Sequence, residues 1–172
     1  RVEFSFEGKL IGTDLSVHSE FEVANIAAAL AAFLSMGHSI DKLINLLPQL
    51  ASVPGRMQKI LGPKGCPTVI LDYAHTPDAL ERVLSACRHR CEGRLICLIG
   101  CGGGRDSGKR PIMGRVAIEN SDVCYFTSDN PRDEDPLEIL ANMASSFSSL
   151  EKRSVNLIID RSVAIRAAID LG

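Results

Sequence analysis

A glycine-rich loop with two arginines and a lysine is the part of this sequence best suited to bind an anion. Residues 100–111 read GCGGGRDSGKRP and lie between an apolar run, 95–99, and a segment with a helical pattern. Glycines let backbone amides come close to a ligand, and a helix start adds positive potential. The loop is not a P-loop, because Arg110 stands where a Ser or Thr hydroxyl would bind magnesium. We therefore expect an anionic ligand that need not be the transferred phosphate of a nucleotide.

Two further polar clusters also follow apolar runs. They are residues 72–76, DYAHT, and residues 128–132, SDNPR. Ligands of an open parallel sheet bind outside the carboxyl ends of its strands, where the loops gather. Turn and cap preferences could explain any one cluster, but His75, Arg105 and Arg132 are not turn residues by local preference. We expect all three clusters to lie at one edge of a sheet.

An α/β fold would position these clusters. From residue 67 onward, four apolar runs each precede a helical pattern, which is typical of a parallel sheet covered on both faces. The predicted strands are 68–71, 95–99, 123–127 and 155–159. Helix starts are marked by Thr76 before Pro77, by residues 135–138, and by Asp160 or Ser162.

The first third of the chain has a different pattern. Its opening residues alternate as in a β-hairpin, and two helices are predicted, over 21–34 and about 39–48. Residues 51–56 have the composition of a linker. We therefore divide the chain into residues 1–52 and 53–172.

The composition is that of an ordinary globular protein, with 172 residues, 45% hydrophobic and 23% charged. A net charge of -2 argues against a surface that coats nucleic acid, so an anion site must be local. No secretory signal is visible, and the longest apolar stretch, 26–34, is too short to span a bilayer. We expect a cytoplasmic monomer that binds neither nucleic acid nor membrane.

Six cysteines raise the question of zinc, because residues 87–101 contain two C-x-x-x-C pairs. Zinc ligands usually lie on turns or knuckles, whereas these cysteines fall on a predicted helix and a predicted buried strand. We favour reduced thiols that pack in the interior, and we assign no metal ligand.

Three motifs in a fixed order strongly resemble the Mur ligases of peptidoglycan synthesis. They are VILDYAHTPDAL at 69–80, the glycine-rich loop at 100–111, and DNPR at 129–132. Within the family they are most similar to ligases that add the third residue of the stem peptide. The resemblance covers nearly the whole chain and is weak only at its two ends.

The resemblance implies a three-domain enzyme of cell-wall synthesis, of which this chain is a part. Residues 1–52 would be the end of the central ATP-binding domain. Residues 53–172 would be most of a Rossmann-like carboxy-terminal domain with a mostly parallel sheet. The implied reaction uses ATP and Mg²⁺ to join meso-diaminopimelate to UDP-N-acetylmuramoyl-L-alanyl-D-glutamate through an acyl phosphate. The Mg²⁺ ligands would lie mainly outside this chain, which alone should be inactive.

The resemblance also implies an ATP site. Asn25 would contact adenine, Asp72 the ribose, and Tyr73 and His75 would flank the nucleotide. Arg56, the implied catalytic residue, would reach the γ-phosphate when the domains close, where a guanidinium makes a charge-assisted contact. The alternatives are structural: a helix cap for Asn25 or Asp72, and a solvated linker arginine for Arg56.

The implied amino-acid site consists of Arg105 and the 129–132 tetrad. Asp129 can pair with an ammonium group, and Asn130 and the arginines with carboxylates. Pro131 fixes the turn that aims Arg132. In this family, an arginine at the last position of the tetrad is associated with meso-diaminopimelate as the substrate. Lysine lacks the distal carboxylate of meso-diaminopimelate, which a guanidinium can bind.

One position departs from the family pattern. Gly104 stands where an acidic residue is common, which removes a charge beside the substrate's amino group. Three alternatives stay open: a lysine-adding ligase of the same family, a non-catalytic α/β binding module, and a structural role without nucleotide. Intact Asn25, Arg56 and Asp72 argue against the last.

Overall fold

The computed structural model describes residues 2–15, 17, 19–51 and 53–172. They form two compact units, Arg1–Gln58 and Lys59–Gly172. The division lies a few residues after the boundary predicted at residue 52. The assignment of the two parts to particular domains of a ligase stays a prediction.

The first unit begins with the predicted β-hairpin. Strands β1 (Val2–Phe6) and β2 (Lys9–Thr13) are antiparallel. Glu7 and Gly8 link them, with φ angles of 48° and 76°. Two left-handed residues are what a tight two-residue hairpin turn requires, and glycine reaches that region without steric cost.

Two helices complete the first unit, as predicted. Helix α1 covers Glu20–Ser35 and α2 covers Ile40–Leu46, with a short 3₁₀ turn after it. The Ser19 hydroxyl accepts the Glu22 N–H, which is the N-cap half of the predicted capping box, and it also donates to the Glu22 carboxylate. The small core consists of Leu30, Leu43 and Leu47.

The second unit contains the other strands: β3 (Gln58–Ile60), which begins at the unit boundary, β4 (Val69–Leu71), β5 (Ile96–Ile99), β6 (Val123–Phe126) and β7 (Val155–Leu157). The last three form a parallel sheet with β6 in the centre. We predicted a sheet of four strands, but β4 pairs with β3 in a separate two-stranded sheet. Three apolar residues indicate a strand there but do not specify the strand with which it pairs.

A helix follows each of the four predicted strands: α3 (Pro77–Arg88), α4 (Lys109–Asn120), α5 (Pro136–Met143) and α6 (Arg161–Leu171). The predicted caps form, because Thr76, Asp135 and Asp160 each accept a backbone N–H in the first turn of α3, α5 and α6. Among the described residues, no helix combines the length and the apolar character needed to cross a membrane.

The main core lies between the sheet and α3, α4 and α5. Its completely buried side chains include Phe126, Ala117 and Met143. Three cysteines, Cys97, Cys101 and Cys124, are also buried as free thiols, as predicted. Burial raises the pKa of all three thiols, which keeps them protonated and unreactive. Cys66 is exposed, so the prediction of packing thiols is wrong for that residue.

Candidate functional site

The glycine-rich loop lies directly against the loop that follows β6. The Gly103 N–H donates to the Asn130 carbonyl at 2.8 Å. A Cβ atom at Gly103 would lie 1.9 Å from the Pro131 carbonyl oxygen, and one at Gly100 would lie 2.4 Å from that of Thr127. Real side chains never come so close, so these glycines allow the two loops to touch. The contact between the two loops therefore explains why these two positions are glycine, independently of any contact with a ligand.

Arg132 has an unusual backbone conformation at this contact. Its φ angle is 52°, in the left-handed region that few residues other than glycine adopt. Its guanidinium donates to the carbonyl oxygens of Gly103 and Asn130. The side chain thus lies across the glycine-rich loop while its residue remains exposed. A strained residue held by a neighbouring loop is typical of a functional site.

An ion pair between a buried arginine and a partly exposed glutamate lies next to this contact. Arg110, in the first turn of α4, has a side chain only 1% exposed, and its two terminal nitrogens each lie 2.8 Å from a carboxylate oxygen of Glu134. The same carboxylate accepts the Gly104 N–H at 2.6 Å. Hydrogen bonds from Arg110, and then from Gly104, lower the pKa of Glu134 from 4.5 to about 2.

Neither Arg110 nor Glu134 was a predicted site residue. We considered Arg110 only as a mismatch to the P-loop. A signal was nevertheless present, because a basic side chain in the first turn of a helix opposes the helix dipole and needs a compensating partner. The sequence did not indicate which carboxylate would supply it.

The loop after β4 is the third part of the site. The Asp72 carboxylate accepts the Ala74 N–H at 2.8 Å, and the rings of Tyr73 and His75 meet edge to face at 5.3 Å between centroids. Lys109 Nζ donates to the His75 carbonyl at 3.0 Å, which joins this loop to the start of α4. The glycine-rich loop therefore contacts both of the other polar clusters. The prediction of one sheet edge is confirmed for the clusters after β5 and β6, whereas the cluster at 72–76 follows β4, which lies in the separate two-stranded sheet.

Two of the structural alternatives are wrong. Thr76 is the N-cap of α3, so Asp72 is not that helix's cap. Asn25 lies inside α1, which Ser19 and Met36 cap, and so it caps neither end. Arg56 is exposed, and its backbone N–H donates to the Val53 carbonyl. Asn25 and Arg56 belong to the first unit, and their predicted roles stay predictions.

The side chains predicted to bind the amino acid face solvent. Arg105, Asp129 and Asn130 are exposed, and their side chains make no hydrogen bond to any other described residue. Within the described part of the chain, no group of three His, Cys, Asp or Glu side chains could hold a metal ion. These residues do not by themselves fit a magnesium site.

The parallel sheet, with helices between its strands and loops at their carboxyl ends, defines an α/β domain. The family model described as "Mur ligase, glutamate ligase domain" matches residues 55–172. This chain belongs to the Mur ligase family.

Two curated relatives carry the name UDP-N-acetylmuramoyl-L-alanyl-D-glutamate–2,6-diaminopimelate ligase. The protein from Synechococcus elongatus is 43% identical over 96% of this chain and 32% of its own length. The protein from Ectopseudomonas mendocina is 48% identical over 87% of this chain and 30% of its own length. A solved structure of a ligase of this name superposes with a TM-score of 0.63 and 35% identity, over 96% of this chain and 33% of that one. The chain thus spans about a third of these relatives.

Proposed function

We propose that this chain is part of an ATP-dependent ligase that adds meso-diaminopimelate to UDP-N-acetylmuramoyl-L-alanyl-D-glutamate in peptidoglycan synthesis. The observation that carries the proposal is its similarity, along nearly the whole chain, to two ligases of that name. The loops after β5 and β6 meet at the carboxyl edge of the parallel sheet, which is where such a sheet binds its ligands, and Lys109 joins the loop after β4 to them.

Charge complementarity supports meso-diaminopimelate as the incoming amino acid. This molecule carries two carboxylates and two amino groups. Arg105 and Arg132 supply guanidinium groups, which bind carboxylates in a bidentate manner, and Asp129 supplies a carboxylate for an ammonium group. Because lysine lacks the distal carboxylate, it would leave one guanidinium without a partner, and a site built for a polar group rejects such analogues.

In the proposed reaction, phosphoryl transfer from ATP to the side-chain carboxylate of D-glutamate yields an acyl phosphate and ADP. Attack by an amine of meso-diaminopimelate then forms the amide bond and releases phosphate. Asp72 would bind the ribose, with Tyr73 and His75 beside the nucleotide. Asn25 would contact adenine, and Arg56 would stabilise negative charge on the transferred group. This chain mainly contributes positioning, which brings the amine to the activated carbon.

The remaining assignments belong to the same proposal. The complete enzyme would use Mg²⁺, with ligands outside the described residues, and would act in the cytoplasm as a monomer. Its partners would be the three small-molecule substrates, with no nucleic acid or membrane.

The test is phosphate release by the complete natural polypeptide that carries residues 1–172. With ATP and the UDP-linked dipeptide present, we expect release to depend on meso-diaminopimelate, with kcat/KM for lysine at least about 100-fold lower. Equal use of lysine would favour the lysine-adding ligase. No release with either amino acid would favour a binding module. Release by residues 1–172 alone would contradict their expected inactivity.

A matched pair of variants tests the assignment of Arg132. Arg132→Gln should remove most of the preference for meso-diaminopimelate over lysine. Arg82→Gln is the control, because Arg82 is an exposed helical arginine that pairs with Asp78 on the same helix, α3, at 3.2 Å. An unchanged preference in Arg132→Gln would contradict the assignment.

A further inference from the structure

We propose that Arg110 and Glu134 are positioning residues for the amino-acid site. They hold the glycine-rich loop against the loop at residues 129–132, so that Arg105 and Arg132 face the same substrate. This inference rests on the proposed function and adds two residues to it.

The pair contacts both loops at once. Arg110 binds both oxygens of Glu134 and also donates to the Gly102 carbonyl at 3.3 Å. Glu134 in turn accepts the Gly104 N–H. The glycine-rich loop is therefore held on both sides of Gly103, the residue that touches the neighbouring loop.

Glu134 is itself part of the second loop. Its backbone N–H donates to the Pro131 carbonyl at 3.0 Å, which closes a turn around Arg132. A shift of the Glu134 side chain would therefore change the position of the turn that carries Arg132 relative to the glycine-rich loop.

The contact with Gly104 bears on Arg105 in the same way. Gly104 has a φ angle of 59°, and the chain continues from it directly into Arg105. The Glu134 carboxylate fixes the Gly104 N–H, and with it the direction in which the backbone leaves toward Arg105. One carboxylate thus constrains both of the arginines proposed to bind the substrate's carboxylates.

Stability alone explains this pair poorly. The Arg110 guanidinium loses its hydration, with a side chain 1% exposed, while Glu134 at 35% exposure keeps part of its own. Apolar side chains of similar size often stabilise a protein as well as a buried ion pair does. Arg110 Nε is buried and has no hydrogen-bond partner among the described residues, so the guanidinium is not even fully satisfied. The Arg110–Glu134 pair makes directed hydrogen bonds to two backbone segments, which a pair of apolar side chains could not make.

The experiment compares Glu134→Gln with Glu151→Gln in the complete polypeptide. Glutamine keeps the size of glutamate but replaces one acceptor oxygen with an NH2 donor, so it cannot make the two parallel bonds to the terminal nitrogens of Arg110. Glu151 is the matched control, because it also binds an arginine, Arg115, and also accepts a backbone N–H, from Ser148 at 2.7 Å. Its contacts do not include the three loops.

We expect Glu134→Gln to raise the KM for meso-diaminopimelate about tenfold, since a misplacement of about 1 Å at a site can cost up to about 100-fold. The KM for ATP should change less than about twofold, because the ATP residues lie on other segments. Glu151→Gln should leave both KM values within about twofold. Glu134→Gln should lower the melting temperature more than Glu151→Gln, because it leaves the buried guanidinium of Arg110 without a carboxylate. The nearly unchanged KM for ATP separates a positioning effect from lost stability.

Equal KM values for meso-diaminopimelate in the two variants would overturn the inference while leaving the proposed function intact. If Glu134→Gln does not fold, Glu134→Asp keeps the charge and shortens the side chain by one methylene, and a KM unchanged from wild type would overturn the inference as well. A wild-type enzyme that does not use meso-diaminopimelate would overturn the proposed function first, before any variant is measured.

Discussion

Two arginines of helix α4 each form an ion pair with a glutamate outside the helix, and the two pairs use the same chemical groups. Arg115 also lies 3.8 Å from Glu119 on the helix itself. Arg110 binds Glu134 from the first turn, and Arg115 binds Glu151 from the second. Each glutamate also accepts a backbone N–H, and each has its pKa lowered from 4.5 to about 2, mainly by its arginine. Their exposure differs, because the side chain of Arg110 is 1% exposed and that of Arg115 is 31% exposed.

The two pairs differ most in what they join. Arg115 donates to the Ser146 carbonyl at 2.7 Å and lies 5.0 Å from the centre of the Phe147 ring, so it closes the edge of the core after α5. Arg110 and Glu134 instead join two loops at the carboxyl edge of the sheet. An arginine–glutamate ion pair therefore supports core packing at Arg115 and the geometry of the candidate site at Arg110. The chemical groups are the same in both pairs, and the two roles differ because of the chain segments that each pair joins.

The strongest test of this difference uses one glycine near each pair. A Cβ atom at Gly103 would lie 1.9 Å from the Pro131 carbonyl oxygen, and one at Gly114 would lie 2.1 Å from that of Met143. Both substitutions to alanine should destabilise the protein by roughly 2 kcal/mol through overpacking. Only Gly103→Ala should also lower kcat/KM for meso-diaminopimelate, by about 100-fold, because it separates the two site loops.

Urea unfolding followed by circular dichroism and steady-state kinetics would measure both effects. Gly93→Ala serves as the neutral control, since nothing lies within 4 Å of a Cβ atom there. A similar loss of kcat/KM in Gly114→Ala would mean that the site responds to any disturbance of α4, and the comparison would fail.

The next largest effect concerns the arginines themselves. Arg110→Met leaves Glu134 and the Gly102 carbonyl without their buried partner, and we expect a loss of about 3 kcal/mol in the free energy of unfolding. Arg115→Met removes a partly exposed partner and should cost about 1 kcal/mol. Urea titrations of both variants test this. Equal losses would show that burial does not distinguish the pairs.

Much of the fold could be predicted from local sequence signals. Apolar runs and caps such as Thr76 and Asp160 are short-range features, and the three-stranded sheet and its helices follow from them. The pairing of β4 could not be predicted, because the sequence of residues 69–71 shows a strand but not its neighbour. Its pairing with β3 in the folded protein shows that it lies outside the main sheet.

The site was predictable where a motif carries it. The three polar clusters were expected at one edge, and Lys109, bonded to the His75 carbonyl, now joins two of them. The Arg110–Glu134 pair was not predictable, because a 24-residue separation gives no local pattern. The closeness of Gly103 to Pro131 is likewise a tertiary contact that no local preference encodes.

A smaller effect appears on acidification. The pKa of Glu134 and of Glu151 is about 2 in the folded protein against an ordinary value of 4.5. A lowered folded-state pKa contributes stability that is present above about pH 4.5 and is lost as the pH falls through about 2. Glu134→Gln and Glu151→Gln should each make the acid-induced decline shallower, and by similar amounts. Urea midpoints between about pH 5 and pH 2 would measure it, and slopes identical to wild type would contradict it.

The smallest loss of stability should come from breaking a third ion pair. This pair tests whether the exposure of the side chains or the number of their hydrogen bonds determines how much a pair stabilises the protein. Arg88 and Asp122 lie 2.9 Å apart with side chains 42% and 43% exposed. The Leu95 N–H is the main cause of the lowered pKa of Asp122, ahead of Arg88. Arg88→Gln should therefore cost less than about 0.5 kcal/mol, because the backbone contact of Asp122 remains and the lost partner is solvated. A loss in urea unfolding as large as that of Arg115→Met would show that the number of bonds, and not exposure, sets the strength of these pairs.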